Sequence, residues 1–132
     1  MMQYLDPERL PAPAGPYSQA TRVSGPGEWL HISGQVGVNM DGTTPAAFEA
    51  QAELAWGYLA QALEAAGMDM GHVVKTTTYL VARADAAAMR AIRLRHLGAH
   101  RPASTLVLVA GLLDPAWKIE VEAVAFRPGG TH

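Results

Sequence analysis

There is no cysteine anywhere in the 132-residue chain, and that absence removes a disulfide framework, a thiolate metal site and a thiol nucleophile together. No apolar run comes near the roughly 20 residues that a membrane-spanning helix requires. Positive charge is not in surplus either. Ten lysines and arginines stand against 12 acids, a formal net charge of −2, so neither nucleic acid nor an anionic membrane is an expected partner. Residues Met1 to Leu10 carry charges where a signal peptide needs an apolar core. The five histidines, His31, His72, His96, His100 and His132, show no metal-ligand spacing. What remains suits one cytoplasmic globular domain with 49% hydrophobic and 17% charged residues. Its core is expected over 11–127, with tails at 1–10 and 128–132.

Four prolines, Pro7, Pro11, Pro13 and Pro16, give an extended lead-in. Ala20–Val23 and Trp29–Ser33 flank the turn-rich Ser24-Gly-Pro-Gly-Glu28 and read as a β-hairpin. Gly34 and Gly37 then bend the second strand. Thr44 and Pro45 have the chemistry of a helix start. The helix that follows buries Phe48, Ala52, Ala55, Leu59, Ala62, Leu63 and Ala66 at spacings of three and four, with Gly67 as its C-cap. Its many alanines imply close approach to a sheet. Residues 72–81 are rich in β-branched side chains and read as a strand. Asp85 caps a second helix that runs to Leu97 and ends at Gly98, with Met89, Ile92 and His96 or Leu97 toward the core. A local basic cluster comprises Arg90, Arg93, Arg95, His96, His100 and Arg101.

Two strands close the chain, 101–109 and 117–126. In the second, Trp117, Ile119, Val121, Ala123 and Ala125 point one way, and Lys118, Glu120, Glu122, Val124 and Phe126 the other. Two carboxylates among apolar residues are odd for a solvated face; either it is partly covered or the glutamates have a task there. The order β-β-α-β-α-β-β makes the class α+β, with both helices on one face of the sheet. Apolar residues nevertheless alternate onto both faces, as in Leu106 and Leu108 against Val107 and Val109. A closed homo-oligomer is the simplest cover for the second face.

Six tags occur in order from about residue 11 to 127: Gly15-Pro-Tyr-Ser-Gln19, Ser33-Gly-Gln35, Glu64-Ala-Ala-Gly67, Val73-Val-Lys-Thr-Thr77, Pro102-Ala-Ser-Thr105 and Lys118-Ile-Glu-Val-Glu-Ala123. In these the chain resembles the Rid (YjgF, reactive intermediate deaminase) family. The resemblance implies a chorismate-mutase-like fold, two helices on a mixed sheet, and a homotrimer with small-molecule sites in the clefts between subunits. It also implies hydrolysis of enamines and imines, such as those released by pyridoxal-phosphate dehydratases, to keto acids and ammonia, with no metal or cofactor. Active members hold the substrate carboxylate with an arginine in a Pro-Ala-Arg-Ser tag. Here the matching residue is Ser104, so the chain resembles a subgroup without that arginine. A hydroxyl donates one hydrogen bond but supplies no charge.

The resemblance places Tyr17, Ser33, Gly34 and Ser104 around the ligand and makes Glu120 the candidate for moving protons during water attack. Arg90, on the second helix facing a neighbouring subunit's cleft, is the candidate replacement for the missing charge. Each residue also has a plainer reading. Tyr17 then anchors the lead-in, Ser33-Gly34 only bends a strand, Glu120 pairs with Lys118 or Lys75, and Arg90 is a solvated helix charge. Three function classes follow: an imine deaminase of altered substrate, a non-catalytic trimer that binds a small metabolite in the same cleft, and an interaction scaffold with an inert cleft.

Overall fold

Strand alternation at the C-terminal end sets the centre of the molecule. A computed structural model describes residues 2–129, with β1 (Met2–Leu5), β2 (Ala20–Val23), β3 (Gly27–Val36), α1 (Phe48–Ala65), β4 (Val73–Leu80), α2 (Ala86–Leu97), β5 (Ala103–Leu108) and β6 (Ile119–Pro128). Single 3₁₀ turns, Met70–His72 and Arg83–Asp85, lead into β4 and α2. The main sheet has the order β3-β6-β4-β5. Its β4–β5 pair is parallel and its other pairs are antiparallel; a parallel pair needs a crossover, and α2 supplies it. The expected tail beyond Gly129 lies outside the described residues.

Both helices lie on one face. Ile119, Val121, Ala123 and Ala125 of β6 meet Ala52, Ala55, Trp56, Leu59 and Leu63 of α1, all buried, and Met89, Ile92 and Leu97 of α2 complete the core. The alanines of α1 allow the close approach that their spacing implied. Gly67 and Gly98 end the helices with φ of 70° and 60°, the left-handed region that glycine enters at least cost. The opposite sheet face carries Lys75, Tyr79, Thr105, Glu120 and Glu122 together with Trp29 and Val107, which remain 51% and 38% exposed. No helix among the described residues is long and apolar enough to cross a membrane.

Several local expectations change. The hairpin does not form: β2 pairs with β1, and β3 pairs with β6. The Gly/Pro turn reverses the chain but leaves the partner open. Thr21 holds β2 away from β3, its hydroxyl donating to the Val74 carbonyl and accepting from the Ala103 amide, which ties β2 to the end of the β4–β5 pair while β3 lies at the opposite edge of the sheet. The N-terminal segment read as a tail therefore contributes β1. Helix α1 starts at Phe48, not at Thr44-Pro45, and its N-cap Ala47 offers no side-chain bond. Buried Gln51 anchors this end instead, with Nε2 donating to the carbonyls of Pro45 (2.9 Å) and Ala116 (3.0 Å) and Oε1 accepting from the Lys118 amide (2.8 Å). Asp85 does occupy the N-cap of α2, but its side chain makes no cap bond, because the 3₁₀ turn runs directly into the helix. Trp117 falls outside β6, and β5 is shorter than 101–109.

Two glycines separate space from propensity. A β-carbon at Gly37 would lie 2.3 Å from the Gln51 Cα, whereas one at Gly57, within α1, would meet nothing within 4 Å. Gly37→Ala is expected to destabilise by about 1–3 kcal/mol through overpacking against backbone. Gly57→Ala is expected to stabilise by about 0.5–1 kcal/mol through helix propensity. Urea midpoints of the two variants should move in opposite directions.

Candidate active site

Strand β5 turns alternate residues, Ser104 and Leu106, toward the helices. One turn of α2 spaces Arg90 and Arg93 on the side that faces them. The lead-in segment closes the third side, because buried Ser18 donates from its hydroxyl to the Arg101 carbonyl and bridges Ala103 in parallel. Tyr17 is held next to it, with its hydroxyl accepting from the Ala14 amide at 3.3 Å. The result is a cavity of about 190 Å³ lined by Ala14, Tyr17, Arg90, Arg93, Ser104 and Leu106. Three of the expected site residues, Tyr17, Ser104 and Arg90, are thus brought together within one chain.

The residue that dominates this cavity is Arg93, which is only 3% exposed. Its Nη1 donates to Ser104 Oγ at 3.0 Å, and the Thr76 hydroxyl donates to the same oxygen at 3.2 Å. Ser104 accepts from both and keeps its own O–H to donate. Arg93 Nε has no partner among the described residues, and the guanidinium makes no ion pair there. Burial above all, then the positive charge of Arg90 and, more weakly, of Arg101, draw its pKa below the usual arginine value; Tyr17 acts the other way. Arginine nevertheless stays protonated in proteins. A buried cation with unused donors and no acid on the cavity wall is a ready anion site, since desolvated charge is unfavourable until it is paired.

Arg93 appeared in the sequence only as one member of a basic cluster. A sharper signal was available. Position 93 follows Met89 by four and adjoins Ile92, so helical periodicity places it on the buried stripe. A lone arginine on such a stripe is either paired or functional.

The remaining three residues lie elsewhere. Glu120 sits between Ile119 and Val121, both fully buried toward the helices, and therefore faces the open side of the sheet. Gly34 approaches it where β3 and β6 slip register between Ile32 and Gln35; a β-carbon on Gly34 would fall 1.9 Å from Glu120 Oε2. Exposed Ser33 is adjacent. Neither suspected lysine pairs with Glu120, since Lys118 Nζ donates to the Ala46 carbonyl (2.7 Å) and Lys75 Nζ to Thr105 Oγ1 (2.6 Å). Tyr79, across from Glu120, donates to Glu122. That bond first, then burial and the charges of Glu122 and Glu120, raise its pKa. Within the chain the six residues form two groups on opposite faces of the sheet. Among the described residues no three histidines or acids converge as a metal would need.

The energetics of the cavity can be tested without a ligand. Arg93→Met is expected to stabilise the fold by about 1 kcal/mol or more, because it removes an unpaired buried charge. Ser104→Ala should destabilise by about 1–2 kcal/mol, because it strips Arg93 of its acceptor. Chemical denaturation reads both. A clear loss of stability in Arg93→Met would mean that the guanidinium serves the fold rather than a ligand.

The chain has many relatives of known sequence and structure. Residues 7–127 match the family described as endoribonuclease L-PSP. The 2-iminobutanoate/2-iminopropanoate deaminase of Escherichia coli is 35% identical over 131 residues, 96% of this chain and 99% of that one. A RutC family protein of Pyrococcus horikoshii is 31% identical over 96% of this chain and 99% of its own. Among solved structures, a protein of the conserved Rid family from Yersinia pestis superposes with a TM-score of 0.83 at 32% identity, covering 94% of this chain and 97% of its own. TdcF of Escherichia coli, solved with bound serine, gives a TM-score of 0.71 at 28% identity, covering 95% and 98%. The two helices on a mixed sheet are those of the chorismate-mutase-like fold. By sequence over nearly its whole length and by backbone, this chain belongs to the Rid family.

Proposed function

We propose that the protein is a Rid-type imine deaminase in which Arg93, from helix α2, takes the carboxylate-holding task that the absence of arginine at position 104 leaves open. The observation that carries this reading is the buried guanidinium with unpartnered Nε, bonded to Ser104 inside the cavity. Arg93 thus joins Arg90, the candidate named from the sequence, as a source of that charge. The deaminase names of relatives such as the Escherichia coli protein and the serine bound to TdcF support a small ligand that pairs a carboxylate with a neighbouring nitrogen.

The chemistry follows from these groups. The carboxylate of an α-imino acid lies against Arg93, and the Ser104 hydroxyl donates to the same group or to a neighbouring atom. This leaves the iminium carbon open to water. Water adds to that carbon while Glu120 takes one of its protons, giving a carbinolamine. Glu120 passes that proton to the nitrogen and then takes the hydroxyl proton as the C–N bond breaks, so ammonia leaves and the carbon keeps its oxygen as the carbonyl of the keto acid. An enamine enters the same route after tautomerising to the imine. Glu120, with Ser33 and Gly34 beside it, must come from another copy, since its own cavity lies across the sheet. Two different surfaces of one chain that meet in this way make a heterologous contact, which forms a ring when the rotation between copies closes. A homotrimer with three shared sites satisfies it and covers the open sheet face. The cytoplasm, where such imines arise, fits the composition.

A second reading is favoured by one observation: the cavity of a single protomer contains an anion holder but no carboxylate to act as base. In that case the protein binds a small metabolite without turning it over. Release of 2-oxobutyrate from 2-iminobutyrate, generated in place by a dehydratase, separates the two. Wild type is expected to accelerate release, and Arg93→Gln to lose about 100-fold in kcat/KM, the scale of a lost charge-assisted pair. Arg93→Ser combined with Ser104→Arg should recover much of it. Mixed trimers of Arg93→Gln and Glu120→Gln chains should exceed either parent, because some sites then combine two intact halves. No acceleration by wild type, with thermal stabilisation by 2-oxobutyrate, would favour the binding reading.

A further inference from the structure

The basic stretch from 90 to 101 is larger than a monoanion needs, and its members divide cleanly. Arg95 and His96 are both engaged by Glu53, the histidine at 3.1 Å. His100 contacts the Val73 carbonyl at 2.6 Å and the Tyr4 hydroxyl. Arg101 is turned onto backbone, its Nη1 donating to the carbonyls of Gly98 and His100. Only Arg90 and Arg93 lack an acid or carbonyl partner among the described residues, and both line the same cavity. No acidic residue lines it with them.

We infer that the cavity is built for a dianion, the imine of a dicarboxylic acid of four or five carbons, with Arg93 on the carboxylate beside the imine carbon and Arg90 on the distal one. This rests on the imine reading for the reaction and on the two arginines for the substrate class. The positions have different characters. Arg93 is enclosed and fixed by Ser104, which suits the group whose placement sets the geometry of water attack. Arg90 is exposed at the rim, one helical turn away, where a flexible guanidinium can follow a carboxylate at the end of one or two methylenes. Ala14 and Leu106 offer those methylenes apolar walls. The two cations also repel each other in the empty cavity, consistent with the influence of Arg90 on Arg93. A ligand carrying two negative charges relieves that repulsion more than one carrying a single charge.

The test uses two readouts on the full-length protein. Calorimetric binding of oxaloacetate and 2-oxoglutarate is compared with that of 2-oxobutyrate at fixed ionic strength, for wild type and Arg90→Gln. Hydrolysis of iminosuccinate, generated from aspartate by an oxidase, is compared with that of 2-iminobutyrate in the same two proteins. Wild type is expected to bind the dicarboxylates about 10-fold or more tightly than the monocarboxylate, the scale of one added charge-assisted contact. It should show the same preference in kcat/KM. Arg90→Gln should collapse the preference, and Arg90→Lys should keep part of it. Equal affinity for one and two charges in wild type, or a preference that survives Arg90→Gln, would overturn the inference. Should no imine be hydrolysed while the binding preference holds, the deaminase reading fails and the dianion site stands.

Discussion

Strand β6 constrains everything around it. It lies between β3 and β4, and its alternation is strict. Ile119, Val121, Ala123 and Ala125 face the helices, whose buried apolar residues cover them. Once they do, Glu120 and Glu122 are committed to the other face, however unfavourable that is for a lone protomer. The close packing of Gly37, just past β3, on Gln51 of α1 lies beside this strand, and that of Gly34 on Glu120 is made to it directly. The first sets how near α1 can lie, and the second holds a carboxylate against the backbone at a break in the β3–β6 register. Fold and candidate chemistry are thus two sides of one alternating sequence.

At the other edge of the sheet the governing term is electrostatic. Hydrophobic burial fixes Met89 and Ile92 of α2, and Arg93 is carried into the interior with them. Its one side-chain acceptor among the described residues, Ser104, is neutral. A residue of that kind weakens the folded state unless something else compensates, and a bound anion is the compensation that the cavity offers. Tertiary packing of the proline-rich lead-in contributes by closing the cavity through Ser18 and Tyr17.

How far the sequence could be read depended on whether the deciding contact was local. The ladder Ala52, Ala55, Leu59 and Leu63 announced α1, and the alternation in β6 announced the sheet, because each pattern is complete within its own element. The start of α1 was misplaced because Thr44-Pro45 has the local chemistry of a cap while the actual anchor, Gln51, bonds to Ala116 and Lys118, more than 60 residues away. The hairpin does not form for a similar reason: Ser24 to Glu28 encode a reversal, while Thr21 ties β2 to the end of β4 and β5 and the strand pairs with β1. At position 104 the resemblance implies an arginine where this chain has serine. Position 93 is harder to read, because its charge hides its place on the helical stripe.

The Arg93–Ser104 contact has a further meaning for how such chains diverge. A serine at 104 leaves room for a guanidinium arriving from α2; an arginine there would fill the same space and add a second buried charge. A small, uncharged residue at 93 beside serine at 104 would leave the cavity with no fixed cation in its depth. On the proposed role of Arg93 the two positions act as one unit. Across related sequences they should covary as a unit, arginine at one accompanied by a short polar or apolar residue at the other, so that the identity of this pair sorts chains by which structural element delivers the charge.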